Sequence, residues 1–201
     1  MSDQTMEQVL TIISGLAREL ILDADDLARI DALAVAAQAG GGSGVTALMQ
    51  MARLTGEAAA DANAVPDAID RLQDDSQLWR LVALVVVCFA AVRAEYPSRQ
   101  DAQAARTAIS ARADAVYSEA GTFGAETVAW LVSMTGVATL FLSRTAAERA
   151  PAVRVETGVS FPSTLLAYDL YGDAGRAEAL VDRNRVATSL AMPVSFEAVA
   201  P

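Results

Sequence analysis

Phe161-Pro-Ser-Thr-Leu-Leu-Ala-Tyr-Asp-Leu-Tyr-Gly-Asp-Ala-Gly-Arg-Ala-Glu-Ala-Leu-Val-Asp-Arg-Asn-Arg185 divides into two short helical patterns hinged at Tyr171-Gly172-Asp173. Pro162-Ser163 suits a helix start, because the first turn has no use for the amide hydrogen that proline lacks. Leu165, Leu166 and Leu170 form the packing side of the first helix. Gly172 takes the left-handed C-cap conformation without steric cost. Asp173 supplies an N-cap for the second helix, whose inward residues are Ala177, Leu180 and Val181. Asn184 ends that helix and is suited to bind backbone groups where the chain turns away. Upstream, Val153, Val155 and Thr157 alternate with Arg154 and Glu156. Downstream, Val194, Phe196 and Ala198 alternate within Met192–Val199. Alternation with period two is the pattern of a strand, so residues 151–201 are expected to form a βααβ module.

Outward from that module the chain reads as helix. Met6, Val9, Leu10, Ile12, Ile13, Leu16, Leu20 and Ile21 recur at helical spacing. They predict a helix over roughly residues 4–22, and Asp23-Ala-Asp-Asp26 supplies caps for a second to about Ala39. Residues 1–39 are thus expected to be a helical hairpin. Gly40-Gly-Gly-Ser-Gly44 is expected to be a flexible joint without regular structure. No strand precedes it and no Gly-Lys-Ser/Thr closes it, so it is no phosphate-cradling loop. A third helix follows over about 44–60, and Asp61–Pro66 reads as loop, which makes 40–66 a joint with one short helix. Residues 67–150 are expected to be a helical bundle. Within it Asp67–Asp75 is a helical turn, and an apolar helix capped by Asp75 or Ser76 runs to about Glu95, ended by Tyr96-Pro97. Ser98-Arg-Gln-Asp101 has capping-box spacing. It opens a helix with Ala102, Ala105, Ile109, Ala113 and Val116 on one stripe. Gly121-Thr-Phe-Gly124 is a turn before the longest apolar helix, about 125–149, closed by Pro151. The fold class expected is mainly α, a helical bundle with a small C-terminal βααβ module.

Composition narrows the chemistry. The chain has 201 residues, enough for one or two small domains, and a net charge of −10. Such a balance repels the phosphate backbone over most of a surface, which leaves only a local arginine patch for nucleic acid. All 15 basic residues are arginine. Without histidine there is no imidazole for general base, metal ligand or pH switch near neutrality. Without lysine there is no Schiff base. Cys88 is the single cysteine, so no internal disulfide forms. It lies in an apolar run, as a small core residue does. The N-terminus lacks the basic and apolar regions of a signal peptide. Leu81–Val92 is too short to span a membrane. Thr127–Ser143 is borderline by length, but it carries Ser133, Thr135, Gly136 and Thr139, and is expected to be a buried bundle helix. Trp79 and Trp130 lie on apolar helices and are expected in the core. The pairs Asp25/Asp26 and Asp74/Asp75 sit where helix N-termini are expected, and negative charge is favoured there. Arg183 and Arg185 flank Asn184. Two arginines so placed either grip a phosphate or carboxylate or simply favour an exposed helix C-terminus. Tyr168 and Tyr171 are candidates for the rim of an interface.

Residues Pro162–Asn184 resemble the C-terminal segment of the DNA circularisation proteins of Mu-like phages. Shared features are Leu166-Ala-Tyr168, Leu170-Tyr-Gly-Asp173, Arg176-Ala177, Leu180-Val181 and Arg183-Asn184. A broader likeness over 75–201 includes Arg93-Ala-Glu-Tyr-Pro-Ser-Arg-Gln-Asp-Ala102 and the helix pair around Glu126. The β-rich N-terminal domain of that family is absent, and Ala187–Pro193 replaces its Pro-Gly turn. The spacing of Tyr171-Gly172, Leu180 and Asn184 is also similar to LysM-like modules of tail and baseplate proteins, though no aromatic platform for a glycan is present. The resemblance implies a structural adaptor in a phage tail or baseplate, present in multiple copies among other tail proteins. It implies no catalysis, cofactor, metal or small-molecule substrate. The interface candidates are Tyr168, Tyr171, Gly172, Asp173, Arg176, Arg183, Asn184 and Arg185. The alternative is a DNA-handling protein that protects or circularises genome ends, and a third reading is a membrane-active tail protein using 127–143.

Overall fold

The computed structural model describes residues 3–72, 74, 76–121 and 124–201. The chain is mainly helical, with one two-stranded antiparallel sheet near the C-terminus. It divides into two compact units, Met1–Glu95 with Gln103–Arg144, and Tyr96–Ala102 with Thr145–Pro201.

The first unit starts with α1 (Asp3–Leu20) and α2 (Ala24–Gln38). The α1 stripe Met6, Val9, Leu10, Ile13, Leu16 and Leu20 is buried as its periodicity predicts. Asp23 caps α2 by accepting hydrogen bonds from the Asp25 and Asp26 amides. The glycine run then departs from expectation. Instead of an irregular joint, Gly41, Gly42, Ser43 and Gly44 are the first turn of α3 (Gly41–Ala58), behind Gly40 at φ 73°. Tertiary packing overrides the poor helix propensity of glycine here. A Cβ on Gly44 would lie 2.7 Å from the Ala37 carbonyl oxygen, so only glycine lets α3 start this close to α2. Gly56 plays the same part further along, where a Cβ would stand 2.4 Å from the Val86 oxygen of α5.

The helical turn expected from Asp67 is present as α4 (Val65–Asp70), which begins earlier, inside the expected loop, with Pro66 in its first turn. Ser76 caps α5 (Gln77–Ala91) by accepting from the Trp79 amide. Asp75, Thr122 and Phe123 lie outside the described residues, so that part of the cap and turn readings does too. All of α5 except Gln77, Arg80 and Phe89 is buried, including Trp79 and Cys88. Burial pushes the Cys88 thiol up to about 12, which makes it inert. The helix ends at Ala91, ahead of the expected Glu95. Asn63 Oδ1 accepts from the Glu95 amide, and Arg93 donates to the Ala59 carbonyl, so loop contacts replace the last helical turn.

Helix α6 (Arg99–Ala120) buries Ala102, Ile109, Ala113 and Val116. Helix α7 (Ala125–Glu148) buries Leu131, Thr135, Ala138, Leu142 and Ala146 on one stripe. Tyr117 and Thr135 share a hydrogen bond across the two helices. Contrary to the reading of α7 as a buried helix, only 22% of its most apolar stretch is inside. Trp130 is correspondingly 39% exposed rather than in the core. By length and composition alone α7 is apolar enough to cross a membrane.

In the second unit the chain runs β1 (Ala152–Glu156), α8 (Ser163–Tyr171), a 3₁₀ turn at Ala174–Arg176, α9 (Ala177–Asn184) and β2 (Ser195–Val199). The two strands pair antiparallel, with Val153 opposite Ala198 and Val155 opposite Phe196. The helix pair closes over the sheet around Leu166, Ala167, Ala177, Leu180, Met192, Phe196 and Ala198. Leu165, expected on the packing side of α8, faces outward at 43% exposed, and of the alternating strand residues Val153 at 41% and Val194 at 50% do so too. Val194 precedes β2, which starts at Ser195 rather than near Met192.

Candidate functional site

The hinge between α8 and α9 organises the candidate residues. Gly172 holds φ at 70°, and its amide bonds back to the Tyr168 carbonyl, which stops α8. Asp173 Oδ1 accepts from the Gly175 amide at 2.8 Å. It therefore caps the 3₁₀ turn that leads into α9 rather than α9 itself. That turn carries Arg176 back over α8, where its guanidinium lies 3.7 Å from the centre of the half-buried Tyr171 ring. A cation over an aromatic face is attracted to the ring's negative quadrupole. Arg176 makes no ion pair among the described residues, so its donor edge is available to a ligand.

Arg183 is not the exposed helix-end cation that its position suggests. Its side chain is only 13% exposed, and Nη2 donates to Asp101 Oδ2 at 2.6 Å. The same carboxylate accepts from the Ser98 amide and hydroxyl at 2.9 and 2.7 Å. Asp101 is thus both the closing residue of the capping box and the anchor of α9. Partial burial works to raise the Asp101 pKa, but hydrogen bonds from Arg183 and Ser98 and the guanidinium charge outweigh it and hold the carboxyl below its ordinary value.

Asn184 bonds backbone at three points. Nδ2 donates to the Leu180 and Glu197 carbonyls at 2.8 Å each, and Oδ1 accepts from the Glu197 amide at 2.7 Å. It ties the end of α9 to β2, as its position at the turn predicts. Gln100 does the equivalent for β1, donating to the Ala152 carbonyl at 3.0 Å and accepting from the Ala152 amide at 2.7 Å. Arg185 is exposed and closes α9 in the left-handed region at φ 49°.

Pro97, Tyr171, Arg176, Leu180, Asp182 and Arg183 line a groove of about 420 Å³. Three predicted residues, Tyr171, Arg176 and Arg183, therefore meet on one surface. Tyr168, 62% exposed, and Arg185 do not line it. Gly172, Asp173 and Asn184 shape the backbone around it. Sequence reasoning missed Asp101 and Gln100 as partners of this module. The capping-box spacing identified Asp101, but only as a helix start. The groove presents arginine and tyrosine donors beside one carboxylate, a surface suited to polar or acidic groups of a partner. Among the described residues no cluster of histidine, cysteine, aspartate or glutamate is placed to hold a metal ion. Comparison with protein-family models and with characterised proteins finds no match to the chain.

Proposed function

We propose that this chain is a structural adaptor of a phage or phage-derived tail or baseplate, joining tube or hub to neighbouring proteins. The observation that carries the reading is the likeness of Pro162–Asn184 to the C-terminal segment of the Mu-like circularisation proteins. The residues of that likeness have clear physical roles here. Tyr171 and Arg176 stack, Gly172 ends α8, Arg183 anchors α9 to Asp101, and Asn184 fastens β2. An adaptor works by shape and interface. The groove beside Tyr171 and Arg176 offers a docking surface, and repetition around a symmetric tail multiplies weak contacts through effective concentration. The acidic balance of the chain disfavours the DNA-handling alternative.

Electron cryomicroscopy and mass spectrometry of particles purified from the source test this directly. The expected result is density fitting both units at the tail tube or baseplate, with the chain in stoichiometric copies. Particles that lack the chain, together with salt-sensitive DNA binding by the purified protein, would replace the adaptor with the DNA-handling reading.

A further inference from the structure

Helix α7 carries a second apolar stripe that its own unit covers only in part. Trp130, Met134, Val137 and Phe141 are spaced four, three and four apart. With Glu126 and Arg144 they fall within an arc of about 80° at the helical repeat. This arc is offset from the buried stripe of Leu131, Thr135, Ala138 and Leu142. Trp130 and Phe141 are each 39% exposed, Val137 is 64% exposed, and Met134 is half-buried. Beside the stripe lies a groove of about 290 Å³, walled by Cys88, Phe89 and Val92 of α5 and by Trp130, Met134 and Val137. Spacing of four, three and four is that of the a and d positions along a paired helix, and a contiguous apolar face with a groove marks an interaction surface.

The charges identify the occupant. Glu126 and Arg144 are exposed at the two ends of the stripe, about 27 Å apart along the axis. Neither forms an ion pair among the described residues. The sequence of the stripe is self-complementary about a point between Thr135 and Gly136. Turned end for end, it sets Trp130 against Phe141, Met134 against Val137, and Glu126 beside Arg144. A two-fold axis there makes each contact twice, as an isologous interface requires. An anionic lipid surface fits less well, because the chain carries net charge −10 and the stripe is flanked by one charge of each sign.

We infer that α7 is a homodimerisation helix, which pairs antiparallel with α7 of a second copy through Trp130, Met134, Val137 and Phe141. The reciprocal Glu126–Arg144 pairs fix the register. This inference stands on α7 and the α5 groove beside it and is independent of any virion role.

Sedimentation velocity of the full chain, over a range of concentrations, tests it. The wild-type protein is expected to sediment as a dimer of 21.0 kDa chains that dissociates on dilution. Val137→Arg is expected to be monomeric with an unchanged helical circular dichroism spectrum, because Val137 lies outside the core. Glu126→Arg and Arg144→Glu each replace two attractions with two repulsions, and each is expected to weaken the dimer about tenfold. The double variant E126R/R144E restores opposite charges across the axis and is expected to recover wild-type dimerisation. A wild-type monomer at every concentration would overturn the inference. So would a dimer indifferent to V137R, or a double variant no better than its single parents. Flotation with phosphatidylglycerol vesicles that V137R abolishes, from a wild-type protein monomeric in solution, would assign the stripe to a membrane instead.

Discussion

The two units hold themselves together by different means. The first relies on apolar packing, with α5 buried on nearly every side and glycines that bring α3 against both α2 and α5. The second has a smaller core, centred on Leu166, Leu180, Met192 and Phe196, and is braced by side chains that reach distant groups, Gln100 the backbone of β1, Asn184 the backbone of β2 and Arg183 the Asp101 carboxylate. The contrast follows from size. A small unit buries a smaller share of its surface and draws less from the hydrophobic effect, so directional bonds become a larger part of what fixes its shape.

Four substitutions probe that contrast, in falling order of effect. Leu84→Ala removes a fully buried side chain from α5 and is expected to cost about 2–5 kcal/mol in urea unfolding of the first unit. A loss near zero would mean that α5 is not the packing centre. Asn184→Ala is expected to cost about 1–2 kcal/mol. Hydrogen exchange should show the Glu197 amide losing protection while the α5 amides keep theirs. If Asn184→Ala leaves Glu197 protected, the bracing account of the second unit fails.

Asp101→Asn is expected to cost about 1 kcal/mol, reduced by solvent screening because this side chain is 36% exposed. Its pH dependence gives a sharper test. The folded-state carboxyl lies below its ordinary value of 3.8, so its contribution is full above that value and disappears as pH falls through the depressed one. Acid titration of the second unit should therefore show a stability loss below pH 3.8 that the asparagine variant lacks. The smallest effect is a gain. Arg185→Gly relieves a left-handed backbone at φ 49° and is expected to raise the melting free energy by about 0.5–1 kcal/mol. A loss there would show that the Arg185 side chain makes contacts worth more than the strain.

Much of the fold was legible because its signals are local. Alternation at Val153/Val155 and Phe196/Ala198, a glycine where φ must be positive, and a capping box at Ser98–Asp101 each depend on neighbours a few residues away. The failures have equally physical causes. Helix α7 is apolar on most sides, so periodicity offers no contrast from which to choose a buried face, and Trp130, expected inward, is 39% exposed. The glycine run reads as a breaker by propensity, yet close approach to Ala37 makes glycine the residue that fits. Arg183 finds Asp101 across 82 positions of sequence, a pairing with no local signature. The candidate groove was half legible for the same reason. The hinge announced itself, while its wall at Pro97 came from elsewhere in the chain.

The amide side chains of Gln100 and Asn184 each give and take one hydrogen bond at a single residue on the outward side of a strand. In effect each is a one-residue third strand. A two-stranded ribbon has two open edges, and open edges recruit further strands into fibrils. Each side chain occupies one residue of its edge, Ala152 on β1 and Glu197 on β2, so a strand arriving from outside has to displace an amide before it can pair along the full edge.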